Sequence, residues 1–269
     1  MSKHKLSASS LSLFLKSPRS YYWRYKAAGT GVEPIEQSVA TYDHDKLCGV
    51  LWAEFVDRFY HHAKEGENTT RLLQDWDEKT QGWVPEKQKD KLTKALESWS
   101  TTYYQLFRSD DGVRNGSELH LENDRFIAYL DGLSHDKVVH EVKSTSRSPN
   151  LSGQLWKYQN SIQVKLYCVL AKATGAIIEF AFKDPPYAIF RAPVMEVTEE
   201  QRKGWEQELN GLADYIYSLG DDINNYPCNP DGCCLVTKGM TSLCPYQTLC
   251  DLGLNEITEI AYKIKSRRG

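Results

Sequence analysis

Asp131, Glu141 and Lys143 are the residues whose types and spacing could do chemistry. Val139, Glu141 and Lys143 alternate with Val138, His140 and Val142, so a strand there projects Glu141 and Lys143 from one face. Asp131 closes the preceding run, and a hairpin through Gly132 to Asp136 brings its carboxylate beside Glu141. Two carboxylates at one point repel, and a hard divalent cation with oxygen ligands relieves the repulsion. Mg2+ or Mn2+ is the ion implied, with the backbone carbonyl of Val142 as a further oxygen ligand. Such an ion lowers the pKa of a water and stabilises the charge of a phosphoryl transition state, and Lys143 would hold the water or neutralise the phosphate. Taken alone, the same pattern fits a cross-strand surface ion pair, worth at most about 1 kcal/mol.

The elements that must position these residues follow from periodicity. LSASSLSLFLKSPRSYYWRYK, residues 6–26, opens with capping serines, sets Leu11, Phe14 and Leu15 at helical spacing and is broken by Pro18. Leu47, Leu51, Phe55 and Phe59 predict a buried helical face between Leu47 and His62, and a further helix is expected from Pro85 to about Phe107. From Glu118 the period becomes two, predicting two or three strands with turns at Asn123-Asp124 and Leu133 to Asp136. Leu155, Tyr158, Ile162, Leu166 and Val169 form one stripe of a long helix expected from Gly153 to Ala173. Gln159, Gln163 and Tyr167 share its polar face. Strands are expected at Ile177 to Phe182 and Tyr187 to Phe190, and a last helix from Thr198 to Leu219. The reading is one α/β domain over 1–269. It comprises a helical N-terminal part (1–110), a sheet core (118–192), and a C-terminal helix with a cysteine-rich tail (198–269).

Bulk properties narrow the function classes. With 269 residues, 41% of them hydrophobic, the chain can bury a substantial core. A formal net charge of −3 leaves no overall basic field, so a nucleic-acid partner must be held by a local patch. The start MSKHKLSASS has no apolar run of signal-peptide length, and no window approaches the roughly 18 apolar residues of a membrane span. A soluble, cytoplasmic protein without a membrane partner is expected. Cys48 and Cys168 lie in apolar stretches, whereas Cys228, Cys233, Cys234, Cys244 and Cys250 crowd together, which reads as metal ligation in a chain without a secretion signal.

Two segments have the composition to hold DNA. The run from Lys16 to Lys26 interleaves cations with Tyr21, Tyr22, Trp23 and Tyr25, as a single-strand platform does. There Tyr21 and Tyr25 are expected to pack while Arg19 and Arg24 face nucleic acid or carboxylates. The segment leaving the strand at Lys143 offers Ser144, Thr145 and Arg147 to phosphate.

The segments at 6–26, YLDG at 129–132, HEVKSTS at 140–146, QVKLY at 163–167 and CPYQTLC at 244–250 occur in this order. In them the chain resembles the RecB-like branch of the PD-(D/E)XK nuclease superfamily, including its phage-type and CRISPR-associated iron-sulfur exonucleases. The resemblance implies a restriction-endonuclease-like core, a mixed central sheet flanked by helices. It also implies metal binding by Asp131 and Glu141, assistance by Lys143, and Gln163 and Tyr167 flanking the site. Many members place a histidine ligand four residues after a helical glycine; here Gly49 is followed by Ala53, with Glu54 as an alternative oxygen ligand. Many also place a cysteine before the first-motif proline, where this chain has Ser17. Cys234, Cys244 and Cys250, joined by Cys228 or else Cys233, would then hold a structural [4Fe–4S] cluster or Zn2+. The expected function is a Mg2+- or Mn2+-dependent deoxyribonuclease, an exonuclease or single-strand-processing enzyme of recombination, repair or phage DNA metabolism, working with helicase or recombination proteins. The alternative is a nuclease-derived DNA-binding or assembly subunit with weakened catalysis.

Overall fold

The computed structural model describes residues 4–34, 119–145, 151–182, 187–228 and 262–264, together with 74, 78, 90, 91, 93–95, 97, 98, 185, 246, 249, 250, 253 and 254. They belong to two compact units, one of residues 1–42, 124–126 and 208–269 and the other of 43–123 and 127–207.

In the first unit, Ser7 opens helix α1 (Ala8–Lys16) with a reciprocal cap. Its Oγ accepts from the Ser10 N–H at 3.2 Å, and its own N–H donates to Ser10 Oγ at 2.8 Å. Ser17 then ends α1 and caps α2 (Pro18–Tyr25), accepting the Ser20 N–H at 3.3 Å. Pro18 does more than break a helix. At the first position of α2 its missing N–H costs nothing and its fixed φ suits the turn. The two helices bury Phe14 edge-on to Tyr21, centroids 5.4 Å apart, and Tyr21 stacks on Tyr226 at 6.3 Å. Trp23, Ala27, Val32, Tyr246 and Leu249 form a second apolar cluster, against which Tyr22 and Cys250 pack. Strand β1 (Val32–Pro34) pairs antiparallel with Tyr262–Ile264.

The second unit holds the chemistry-bearing residues. Strands β2 (Leu119–Glu122) and β3 (Ile127–Leu130) form an antiparallel ribbon. The chain continues through β4 (Gly132–Leu133) and a tight turn into β5 (Val138–Thr145), the first long strand of a five-stranded sheet. Ser134 closes that turn: its N–H donates to the Val138 carbonyl, and its Oγ accepts the Val138 N–H, both at 3.0 Å. Helices α3 (Leu151–Gln159) and α4 (Ile162–Ala171) follow, then β6 (Gly175–Phe182), β7 (Ile189–Arg191), β8 (Met195–Glu196) and helix α5 (Glu199–Ser218), which runs on into the first unit. The sheet order is β4-β5-β6-β7, with β8 pairing the start of β6. Only β5 and β6 are parallel, so the sheet is mixed, and the α3–α4 pair makes the crossover that parallel strands need.

The long helix expected from Gly153 to Ala173 is two helices. Ser161 caps α4 by accepting the Val164 N–H at 3.2 Å, and the Asn160 amide donates to the Trp156 carbonyl at 2.8 Å. Two short polar residues compete with the helical ladder there, which apolar periodicity alone does not register. The described residues between 90 and 98 are helical, as expected of the Pro85–Phe107 segment; the expected helix at Leu47–His62 lies outside the described residues.

Gly31 follows α2 with a φ of +84°, and a Cβ built on it would stand 2.0 Å from the Arg24 carbonyl oxygen. Replacing it by alanine therefore forces backbone to move. Gly31→Ala is expected to cost more than about 1 kcal/mol, seen as a lower urea midpoint, whereas Gly29→Ala, with nothing within 4 Å of its Cβ, costs less despite its positive φ.

Candidate functional site

The β4–β5 register is the starting point. Gly132 faces His140 and Leu133 faces Val139, so one step further along the same register Asp131 stands opposite Glu141. Cross-strand neighbours project from the same face. At Asp131 the ladder stops, and the carboxylate itself takes over the strand's role: its Oδ2 accepts the Val142 N–H at 2.8 Å. The N–H and C=O of one strand residue point to the same side. The Val142 carbonyl therefore faces the edge where Asp131 lies, as an oxygen ligand beside that carboxylate would require.

Glu141 is 1% exposed. The Lys143 ammonium is ion-paired with its Oε1, while Oε2 is buried with no hydrogen-bond partner. Burial pushes the Glu141 carboxyl up to about 8, the charge of Asp131 adds to the rise, and Lys143 opposes it. Burial draws the Lys143 ammonium downward, but the pull of Glu141, with Asp131 behind it, prevails and leaves Lys143 above the ordinary lysine value. A buried carboxylate beside a second one, with an oxygen lacking a donor, is the donor set that a hard divalent cation satisfies. Asp131 and Glu141 thus fit such an ion. Among the described residues no group of three or more His, Cys, Asp and Glu side chains that could hold a metal ion converges.

Two helices complete the face that carries Glu141 and Lys143. Gln163, in the first turn of α4, accepts from Lys143 Nζ at 3.3 Å through Oε1 and donates through Nε2 to the Tyr167 hydroxyl at 2.9 Å. The four-residue spacing of Gln163 and Tyr167 makes this chain possible, one turn apart on one face. Tyr167 is buried, 6% exposed. The break at Asn160–Ser161 leaves Gln159 on α3, a different helix from Gln163 and Tyr167. The residue α3 contributes is Tyr158, whose ring centroid is 5.7 Å from Lys143 Nζ and which packs edge-on against Phe180 at 5.6 Å. In the sequence Tyr158 reads as a member of an apolar stripe, and the structure sets its ring beside the lysine.

The opposite face of β5 and β6 carries a second buried charge group that sequence reading missed. Glu179, 1% exposed, accepts from Arg191 Nε at 2.8 Å and has His140 Nδ1 at 3.7 Å. Burial raises the Glu179 carboxyl and Arg191 opposes the rise. A glutamate in the middle of GAIIEFAF was the available signal, since a charge in so apolar a strand needs a partner.

The other expected residues fall as follows. Strand alternation puts Thr145 on the face of Glu141 and Lys143 and Ser144 on the other; Arg147 and Glu54 lie outside the described residues. Arg19 donates through Nε to the Tyr226 carbonyl at 3.2 Å, and Arg24 is exposed, its guanidinium 5.8 Å from the Tyr25 ring. Tyr21 and Trp23 are buried, so half of the aromatic run is core. Cys228 is exposed, Cys250 is half-buried, and Cys233, Cys234 and Cys244 lie outside the described residues. Burial pushes the Cys168 thiol up to about 12, in keeping with a packing role. No described helix is long and apolar enough to cross a membrane.

A family model, that of the PD-(D/E)XK nuclease superfamily, matches residues 5–251. The crystal structure of SSO0001 is similar over 75% of this chain and 84% of that one, at 13% identity and a TM-score of 0.33. No curated protein matches.

The raised Glu141 carboxyl has a sign that can be checked without substrate. Between the ordinary glutamate value of 4.5 and about 8, the folded state holds a proton that the unfolded state has released. Glu141 therefore destabilises the fold progressively as pH rises through that window and no further above it. Lys143 stays charged in both states throughout and adds no slope. In chelator, the melting temperature of the wild type is expected to fall between pH 5 and pH 9 more steeply than that of Glu141→Gln. Parallel curves would mean that Glu141 is not the source.

Proposed function

Because the chain belongs to the PD-(D/E)XK nuclease superfamily, we propose that it hydrolyses phosphodiester bonds of DNA with Mg2+ or Mn2+ held by Asp131 and Glu141. The observation that carries the proposal is the buried Glu141 carboxylate, ion-paired with Lys143 and next in register to Asp131. When bound, the cation supplies Lewis acidity toward the phosphate and a lowered pKa for a nearby water.

The chain's own residues do the positioning. Asp131 is oriented by the Val142 N–H, which its Oδ2 accepts at 2.8 Å. Lys143 stands between Glu141 and the Gln163 amide, so its ammonium is aimed by two acceptors and can hold a phosphate oxygen or a water beside the carboxylates. Gln163 is fixed in turn by the Tyr167 hydroxyl. This is preorganisation: a charge donor set in place before the reaction, in a largely buried setting where its field is strong. Thr145 continues the same face of β5 and is assigned a phosphate contact together with Arg147, whereas Ser144 projects from the opposite face of the strand. An exonuclease or single-strand-processing mode in recombination, repair or phage DNA metabolism is the finer part of the proposal, and it rests on the order of motifs alone.

The decisive assay incubates the protein with labelled single- and double-stranded DNA in Mn2+ or Mg2+. Cleavage is expected, with Asp131→Ala, Glu141→Ala and Lys143→Ala each at least about 100-fold slower and Gln163→Ala slower by roughly 10- to 100-fold. Absence of cleavage, or variants as active as the parent, overturns the assignment. Calorimetric titration with Mn2+ gives a second check. Because the metal must displace the proton on Glu141, its affinity is expected to climb by up to about tenfold per pH unit and to level off above about pH 8.

A further inference from the structure

Two residues before Asp131, β3 presents an aromatic to solvent. The strand alternates, Ala128 and Leu130 being buried while Tyr129 is 53% exposed. β3 ends at Leu130 and the chain bends at Asp131, which is half-buried between buried Leu130 and Gly132, so Tyr129 stands two residues, at most about 7 Å of chain, from the residue bearing that carboxylate. Tyr129 pairs in register with His120 of β2, and the two rings stack with centroids 5.0 Å apart and planes 18° from parallel. The stacked pair is thus an exposed, preformed aromatic surface two residues along the chain from Asp131.

We infer that the His120–Tyr129 pair is a stacking platform for an unpaired base of the DNA strand whose phosphate reaches Asp131 and Glu141. The inference rests on the proposed nuclease reading and adds the contact that would favour single-stranded substrate. Charge supports a base rather than a phosphate at this spot. His120 Nε2 has the Glu122 carboxylate at 3.4 Å, an unwelcoming neighbour for a polyanion's backbone but not for the neutral face of a base. Base-on-aromatic stacking is tolerant of sequence, as a processing enzyme requires. The ordinary role for such a pair is cross-strand packing within the ribbon, and the two roles separate experimentally.

The test measures binding by fluorescence anisotropy in an Asp131→Asn background, which prevents cleavage while keeping an acceptor for the Val142 N–H. The probes are an oligothymidine and a base-free strand of the same length and charge. Tyr129→Thr, chosen because threonine keeps strand propensity, is expected to weaken oligothymidine binding by roughly 5- to 150-fold. It should leave base-free binding unchanged, while Tyr129→Trp binds oligothymidine at least as well as the parent. If Tyr129→Thr loses affinity equally for both strands, or for neither, the platform is wrong. If the parent itself binds neither strand, the nuclease reading has failed and the platform with it.

Discussion

A carboxylate held out of water is the constraint on which the second unit depends. Glu141 lies in the middle of the strand that joins β4 to β6, where both neighbours exclude solvent, and an ionised side chain there is tolerable only with a charge partner. Lys143, two residues along the same strand, is that partner, and it can reach back only because strand periodicity puts both on one face. The lysine in turn needs acceptors and a lid, which Gln163 and Tyr158 supply from two separate helices. Each group is therefore fixed by the one before it. The oxygen that remains without a donor is the point where the site is incomplete by itself.

The sheet carries buried charge on both faces, and the two groups differ in a telling way. Behind the strand, Glu179 has Arg191 as a direct hydrogen-bonded partner from the adjoining strand. In front, Glu141 has Lys143 as its ion-pair partner, and burial together with the neighbouring charge of Asp131 raises its carboxyl. Burying ion pairs seldom adds stability over apolar packing of the same shape. On the opposite face the Glu179 carboxylate is held by a direct hydrogen bond from Arg191.

Ser17 shows how a departure from a family pattern can be filled by ordinary structural work. Where the resemblance implied a cysteine before the proline, the Ser17 hydroxyl caps α2 and hydrogen-bonds Ser20 at 2.8 Å, both residues being buried. The position is thus occupied by a helix junction. Likewise the cation-aromatic run that follows has the composition of a nucleic-acid platform, but Tyr21 and Trp23 are spent on the core, and Arg19 on a backbone carbonyl. Composition cannot separate a packed tyrosine from a presented one, because burial depends on what folds back from distant sequence, here Tyr226.

What the sequence by itself determined was local: the period-two strands, the face shared by Glu141 and Lys143, the one-turn spacing of Gln163 and Tyr167, and the order of helices and strands. These depend on backbone geometry that repeats every two or every 3.6 residues, so a linear string carries them. The tertiary structure alone decided which side chains complete the site. Tyr158 stands beside Lys143 on a helix separate from that of Gln163, although the apolar stripe reads as one continuous helix. Glu179 found Arg191 and His140 across strands that pairing, not proximity in sequence, brings together. Tyr129 became a presented aromatic because its register partner is His120 and its alternates are buried. In each case the outcome depends on register and on the end of a helix, where a single residue's shift moves a side chain to another face.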